Sequence, residues 1–206
     1  MSLHVQSLTC IRQDRLIFKS VELSLSSGEI LWVKGRNGAG KSSLLRILAG
    51  LLKPASGIVS WDGTDVEQEP EQYQQNLRYV GHQDALKTAY TARENLNFWS
   101  QYTGTNNVAA ALEAFQLQTI ADHPVRILSA GQKKRSNLAR LIACPAPLWI
   151  LDEPVSSLDT DYIDLFKNLL ETHVKAGGMA LLATHQDLGL QSARHLDLND
   201  IWQVAG

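Results

Sequence analysis

Hydrophobic positions fall in short runs through the first sixty residues and in longer, helix-like periods after them. Residues 3–5, 21–25 and 29–34 are strand-like, and a further run at 57–60 leads into the turn sequence Trp61-Asp62-Gly63-Thr64. Short apolar runs bounded by turn residues predict an antiparallel sheet feeding a more buried strand. From Lys41 onward, helix-like segments at 42–49, 91–102, 108–115, 132–143 and 161–175 alternate with short strands at 78–80, 148–151 and 179–183. That alternation predicts an α/β core. Thr91-Ala92-Arg93-Glu94 reads as a capping box, the Thr91 hydroxyl accepting from the Glu94 amide while the Glu94 carboxylate reaches back. It opens a stretch without strand signal, which predicts an inserted helical subdomain at about 84–146 within one domain spanning 1–206.

Composition narrows the class. The 206 residues suit one domain at about 150 residues per domain, and 44% hydrophobic residues are enough to bury a core. With 19 Lys+Arg against 21 Asp+Glu the net charge is −2. That balance lacks the basic excess needed to displace phosphate counterions, so nucleic acid is not an expected partner. The first 18 residues scatter Gln6, Arg12, Asp14 and Arg15 among apolar positions, which argues against a secretory segment. No apolar run approaches the roughly 20 residues of a spanning helix, so a cytosolic chain is expected. Cys10 and Cys144 are too few and too far apart for a disulfide framework or a metal knuckle. Both are expected as reduced, structural thiols.

The chemistry-bearing segments are local. Gly35-Arg36-Asn37-Gly38-Ala39-Gly40-Lys41-Ser42, followed by Ser43, fits GxxxxGK[ST], after the apolar run 30–33 and before a helix. Glycines let successive amides point inward as an anion nest, and the helix start adds its positive dipole end. Lys41 is expected at the β- and γ-phosphates and Ser42 at Mg²⁺. Downstream, the apolar run 148–151 ends in Asp152-Glu153. Two carboxylates at a buried strand tip repel each other unless a cation is near. Asp152 suits the Mg²⁺ side and Glu153 a general base acting on the attacking water.

Between these motifs lies Leu128-Ser129-Ala130-Gly131-Gln132, and here the chain resembles the ATP-binding cassette (ABC) ATPases, whose signature loop usually reads Leu-Ser-Gly-Gly-Gln. The resemblance extends over essentially the whole chain. Gln83 stands at the Q-loop glutamine, Ser157-Leu158-Asp159 at the D-loop, and Thr184-His185 at the switch histidine. It implies a P-loop NTPase fold of the ABC type, with an N-terminal antiparallel β subdomain and an inserted α-helical subdomain. It implies ATP and Mg²⁺ as ligands and an ATP-dependent homodimer. In that dimer Ser129, Ala130, Gly131 and Gln132 of one chain meet the nucleotide held by the partner's P-loop. His185 is expected at the γ-phosphate, and Gln83 at Mg²⁺ or the attacking water. Two positions depart from the family pattern. Arg12 aligns with the aromatic residue that stacks on adenine, and Ala130 replaces a signature glycine, which an alanine tolerates where φ is negative.

A narrower resemblance is carried by residues 77–83, Lys87-Thr88, residues 91–96, Ser-Ala-Gly-Gln and Thr184-His185-Gln186. It points to the ATPase subunits of cytochrome c maturation (heme exporter) transporters. The expected partners are membrane-spanning subunits met on the cytoplasmic face of the inner membrane, with heme not expected to bind this chain directly. The ATPase of another small ABC transporter and a soluble P-loop kinase are the competing readings. Cys144-Pro145 reads as a turn before a strand. Lys133-Lys134-Arg135 reads as a solvated helix face, and Trp32, Trp61, Trp99, Trp149 and Trp202 read as core or interface packing.

Overall fold

The computed structural model describes residues 1–199; Trp202 lies outside them. In chain order the elements are β1 (Ser2–Arg12), β2 (Arg15–Ser26), β3 (Ile30–Lys34), α1 (Lys41–Leu48), β4 (Ser56–Trp61), β5 (Thr64–Asp65), α2 (Pro70–Gln75) and β6 (Leu77–Val80). They continue with α3 (Ala92–Tyr102), α4 (Val108–Ala114), α5 (Ala130–Leu138), α6 (Arg140–Ala143), β7 (Leu148–Asp152), α7 (Thr160–Lys175), β8 (Met179–Ala183) and β9 (Arg194–Asp197). Two sheets result, an antiparallel one ordered β2-β1-β4-β5 and a parallel one ordered β6-β7-β8-β3-β9.

The central parallel strands β3, β7 and β8 are buried on both faces, and the alternation of their side chains divides the core in two. Leu31, Val33, Leu148, Ile150 and Leu181 face α1 and the antiparallel sheet, where Leu44, Leu45 and Leu48 of α1 meet Leu3, Leu8 and Leu25. The other face carries Trp32, Trp149, Leu151 and Leu182 against Phe166 and Leu170 of α7 and the helices α3 to α6. Each wholly buried leucine contributes about 1.5–3 kcal/mol. The helix α1 is therefore clamped between two sheets, and the loop that precedes it inherits that rigidity.

The strand β9 has no apolar run to announce it, and three other elements also depart from the pattern reading. The hairpin β1–β2 is much longer than the runs at 3–5 and 21–25. Its register shifts between Val5 and Ile11, with Ser7 and Ser20 at positive φ, and these bulges break the alternation that marks a strand. Its turn, Gln13-Asp14, has φ of 48° and 58°, the two-residue geometry usually supplied by Asn-Gly. The helix α2 is polar throughout except Tyr73, whose hydroxyl donates to the Leu48 carbonyl. The predicted helix at 132–143 is two helices, α5 and α6, separated at Ala139.

The capping box at Thr91 and Glu94 forms as expected. Both cysteines are free and buried, and burial pushes each thiol above its ordinary range. Trp32, Trp61 and Trp149 are core residues, and Trp149 stacks on His173 at 3.8 Å. The expected solvated face at 133–135 is a misreading. Lys134 and Arg135 are buried, because Asp84, the end of α4 and Tyr162 of α7 close over that side of α5. Arg135 donates to the Phe115 and Gln116 carbonyls and lies 3.7 Å from the centre of the Tyr162 ring.

Candidate active site

The P-loop runs from the tip of β3 into α1. Gly38 and Gly40 have φ of 81° and 98°, a region that side chains rarely adopt. A methyl group at Gly40 would also stand 2.5 Å from Ile17 Cγ2, so the β1–β2 hairpin fixes the loop from outside. The Arg36 amide donates to Asn199 Oδ1 at 3.2 Å, a brace from the segment after β9. Lys41 Nζ donates to the Gly35 and Arg36 carbonyls at 2.8 and 3.2 Å and lies 3.3 Å from His185 Nε2.

Around this loop opens a cleft of about 490 Å³ lined by Asn37, Gly38, Gly40, Lys41, Ser42 and Ser43 of the loop. Its other walls are Ile17, His82, Asp152, Glu153, Ser156 and His185. Strands β7 and β8 are neighbours, so their tips deliver Asp152, Glu153 and His185 to the mouth of the P-loop. Glu153 Oε1 lies 3.6 Å from His185 Nε2. The Glu153 backbone has φ of 51° and is held there by its amide, which donates to the Ala183 carbonyl at 2.8 Å. Such strain persists only where the surroundings impose it, and it aims the carboxylate into the cleft.

Asp152 is 2% exposed, and its Oδ2 has no hydrogen-bond partner among the described residues. A buried carboxylate oxygen left unpaired in a cleft that Ser42 also lines is a donor set that suits a hard divalent cation. The residues present therefore fit Mg²⁺.

The structure does not bring every expected residue to this cleft. Gln83 lines a neighbouring groove, and the loop residue facing the cleft is His82. Arg12 is exposed at the end of β1, near enough for its charge to act on the Cys10 thiol but outside the cleft. From that hairpin the cleft receives Ile17, whose signal in the sequence is only an apolar residue beyond the turn. Asn199 carried no signal, since its role depends on a fold contact with a loop more than 160 residues earlier.

Ser129 to Gln132 lie elsewhere on the surface, at the start of α5. Ser129 Oγ accepts from the Gln132 amide at 3.2 Å and the Gln132 side chain accepts from the Ser129 amide at 2.9 Å, a closed capping box. Ser129 and Ala130 are exposed at this helix start. A methyl group at Gly131 would stand 2.9 Å from the Ser157 carbonyl, whose own residue has φ of 67°. Ala130 is exposed and its φ is not positive. Asp159 caps α7, accepting from the Tyr162 amide at 3.1 Å. The signature and D-loop segments thus pack on each other within one chain. Gly131→Ala is expected to force them apart at about 1–3 kcal/mol of overpacking and to lower steady-state ATPase by about tenfold. Ala130→Gly is expected to leave it within about twofold. Equal rates for Gly131→Ala and the parent chain would show that this packing has no functional weight.

A P-loop with paired carboxylates occurs in many NTPases and does not by itself define a family. The ABC transporter family model matches residues 18–156, most of the chain. The chain belongs to the ABC transporter family. Among relatives of this ABC protein, the cytochrome c biogenesis ATP-binding export protein CcmA of Paramagnetospirillum magneticum is 44% identical, over 94% of this chain and 92% of the relative. The protein of the same name from Rhodospirillum rubrum is 47% identical over 94% and 84%, and that from Haemophilus influenzae 40% identical over 95% and 94%. Among solved structures, an ATP-binding subunit of an ABC transporter superposes with a TM-score of 0.83 at 25% identity, covering 90% of this chain and 80% of that one. A dimeric ATP-binding cassette bound to ADP and Pi has the same TM-score at 23% identity, covering 95% and 93%. As a member of this family the chain is an ABC transporter ATPase and binds ATP.

Proposed function

We propose that this ATPase is the energy-supplying subunit of a membrane complex serving cytochrome c biogenesis. The observation that carries the reading is 40–47% identity, over nearly the whole chain, to proteins named for cytochrome c biogenesis ATP-binding export. The chain would sit on the cytoplasmic face of the inner membrane and work through membrane-spanning partners. No helix among the described residues is long and apolar enough to cross a membrane.

At the site, the P-loop amides and Lys41 would hold the phosphates, with Ile17 against the rest of the nucleotide. Ser42 and Asp152 would hold Mg²⁺, which when bound offsets phosphate charge. Glu153, aimed by its strained backbone, would take a proton from the attacking water, and His185 would hold the γ-phosphate region opposite Lys41. Ser129 and Gly131 would close on a partner's nucleotide, since a helix start presents amides to an anion. A single chain therefore supplies two half-sites, which supports an ATP-dependent homodimer.

The membrane partner has a natural seat. A groove of about 560 Å³ lies between α3 and the edge of the parallel sheet, lined by Leu51, Gln83, Phe98, Trp99, Tyr102 and Arg140. Phe98 and Tyr102 are 46% and 79% exposed. An aromatic rim of this kind suits an apolar segment of a membrane-spanning subunit.

The test is selective. Cells relying on a Glu153→Gln chain are expected to lose heme attachment to c-type cytochromes while b-type cytochromes remain normal. Heme-stained gels and difference spectra of the same membranes measure both. Wild-type c-type levels, or an equal fall in both classes, would leave only a transport ATPase of another substrate.

A further inference from the structure

The segment between β6 and α3 has a split arrangement, with His82 at the nucleotide cleft and Gln83 at the groove. Immediately after them Asp84 pairs with Lys134 of α5, Oδ1 to Nζ, at 3.4 Å. The Lys134 side chain is only 4% exposed and Asp84 25%. Lys134 Nζ also reaches the His82 carbonyl at 3.5 Å, and Asn137 Nδ2, on a wholly buried residue, donates to Asp84 Oδ1 at 3.2 Å. The seam continues one turn on. Arg140 donates to Asn137 Oδ1 at 3.2 Å and lies 4.1 Å from the centre of the Trp99 ring. Burial pulls the Arg140 guanidinium down to about 10.

Lys134, Asn137 and Arg140 recur at helical spacing, so one side of α5 and α6 is a buried polar stripe. Burying a lysine is unfavourable unless its charge is paired, and an apolar residue of similar size serves packing as well or better. A stability role alone leaves the choice of an ion pair unexplained. What the pair does provide is a fixed relation between two particular places. One end is the loop that faces the chain's own nucleotide, and the other is the helix whose first turn, from Ser129, faces outward.

We propose that Asp84, Lys134 and Asn137 are positioning residues that lock the loop at 82–84 to the signature helix, so that the two move as one body when the ATP-dependent dimer closes. This rests on the reading that the Ser129 end of α5 acts on a partner's nucleotide. None of the three lines the nucleotide cleft. They set where the signature helix stands relative to the P-loop cleft.

The full-length chain carrying Glu153→Gln, with ATP and Mg²⁺, serves as the parent, and its dimer is followed by sedimentation. Lys134→Met and Asp84→Asn are each expected to raise the ATP concentration needed for half-dimerisation by about tenfold. The affinity of the monomer for ATP, measured at protein concentrations below dimerisation, should change less than about twofold. Each single variant leaves a charge or polar group unpaired and should melt below the parent. The double variant Lys134→Met/Asp84→Asn removes both charges and should regain most of the melting temperature while still dimerising as poorly as the singles, a non-additive pair. Recovery of dimerisation together with stability would reduce the pair to a structural role and overturn the proposal. So would parent-like dimerisation in the singles, or a parallel loss of monomer affinity for ATP. If the parent itself fails to dimerise with ATP, the two-half-site reading falls first and takes the proposal with it.

Discussion

Replacing Glu153 by glutamine is expected to lower ATP turnover by roughly 10²–10⁴-fold, the range supplied by a positioned general base. The substitution keeps size and hydrogen-bonding capacity and removes the proton acceptor and one negative charge. The backbone that aims the side chain is unchanged, because the φ of 51° is imposed by the bond from the Glu153 amide to the Ala183 carbonyl. Asp152 keeps its unpaired oxygen in the cleft, so cation and nucleotide binding should persist. Hydrolysis then becomes the blocked step, and an ATP-bound dimer should accumulate by mass action. Adding Ser129→Arg should abolish that dimer, since Ser129 stands exposed at the start of α5 and a long side chain there would obstruct the partner's nucleotide. Sedimentation with and without ATP checks both results. A Ser129→Arg/Glu153→Gln chain that dimerises normally would refute the head-to-tail arrangement.

Lys41→Ala should weaken ATP binding by at least about tenfold. Charge-assisted hydrogen bonds contribute about 1.5–3 kcal/mol each, and about 1.4 kcal/mol is a factor of ten in affinity. The lower end is the safer expectation, because Lys41 Nζ donates to the Gly35 and Arg36 carbonyls and must exchange those bonds for phosphate oxygens. Arg12→Ala provides the contrast. Its guanidinium is exposed at the hairpin turn and outside the cleft, so ATP affinity should change by less than about threefold. Calorimetry on both variants measures the difference. A loss at Arg12 as large as that at Lys41 would place the base against the hairpin turn, and unchanged affinity in Lys41→Ala would remove the lysine from the phosphate site.

Most of the cleft's lining was legible in the sequence because its loop and its strand tip are each built from contiguous residues. A glycine loop between a strand and a helix makes an anion nest from its own backbone, and carboxylates at a strand tip need no distant partner to be recognised. The capping box at Thr91 spans four residues and forms as its spacing implies. The parallel strands β3, β6, β7 and β8 were visible as short apolar runs, since a strand buried on both faces leaves few polar interruptions, whereas the edge strand β9, Arg194–Asp197, offers no such run. The long hairpin was not, because bulges at Ser7 and Ser20 disturb the period-two pattern without ending the strand.

Side-chain direction and burial had to come from the tertiary structure. Gln83 and His82 are adjacent, and only the path of the loop sends one to the groove and the other to the cleft. Arg12 and Ile17 lie on the same hairpin, and the bulged register turns Ile17 inward against Gly40. Lys133-Lys134-Arg135 looks like a solvated run because charge is the only local signal. Its burial is decided by Asp84, Phe115 and Tyr162, which supply partners from three other segments. A charged side chain is tolerated inside when distant groups satisfy it, and those groups are brought together by packing over sequence distances that no local pattern records.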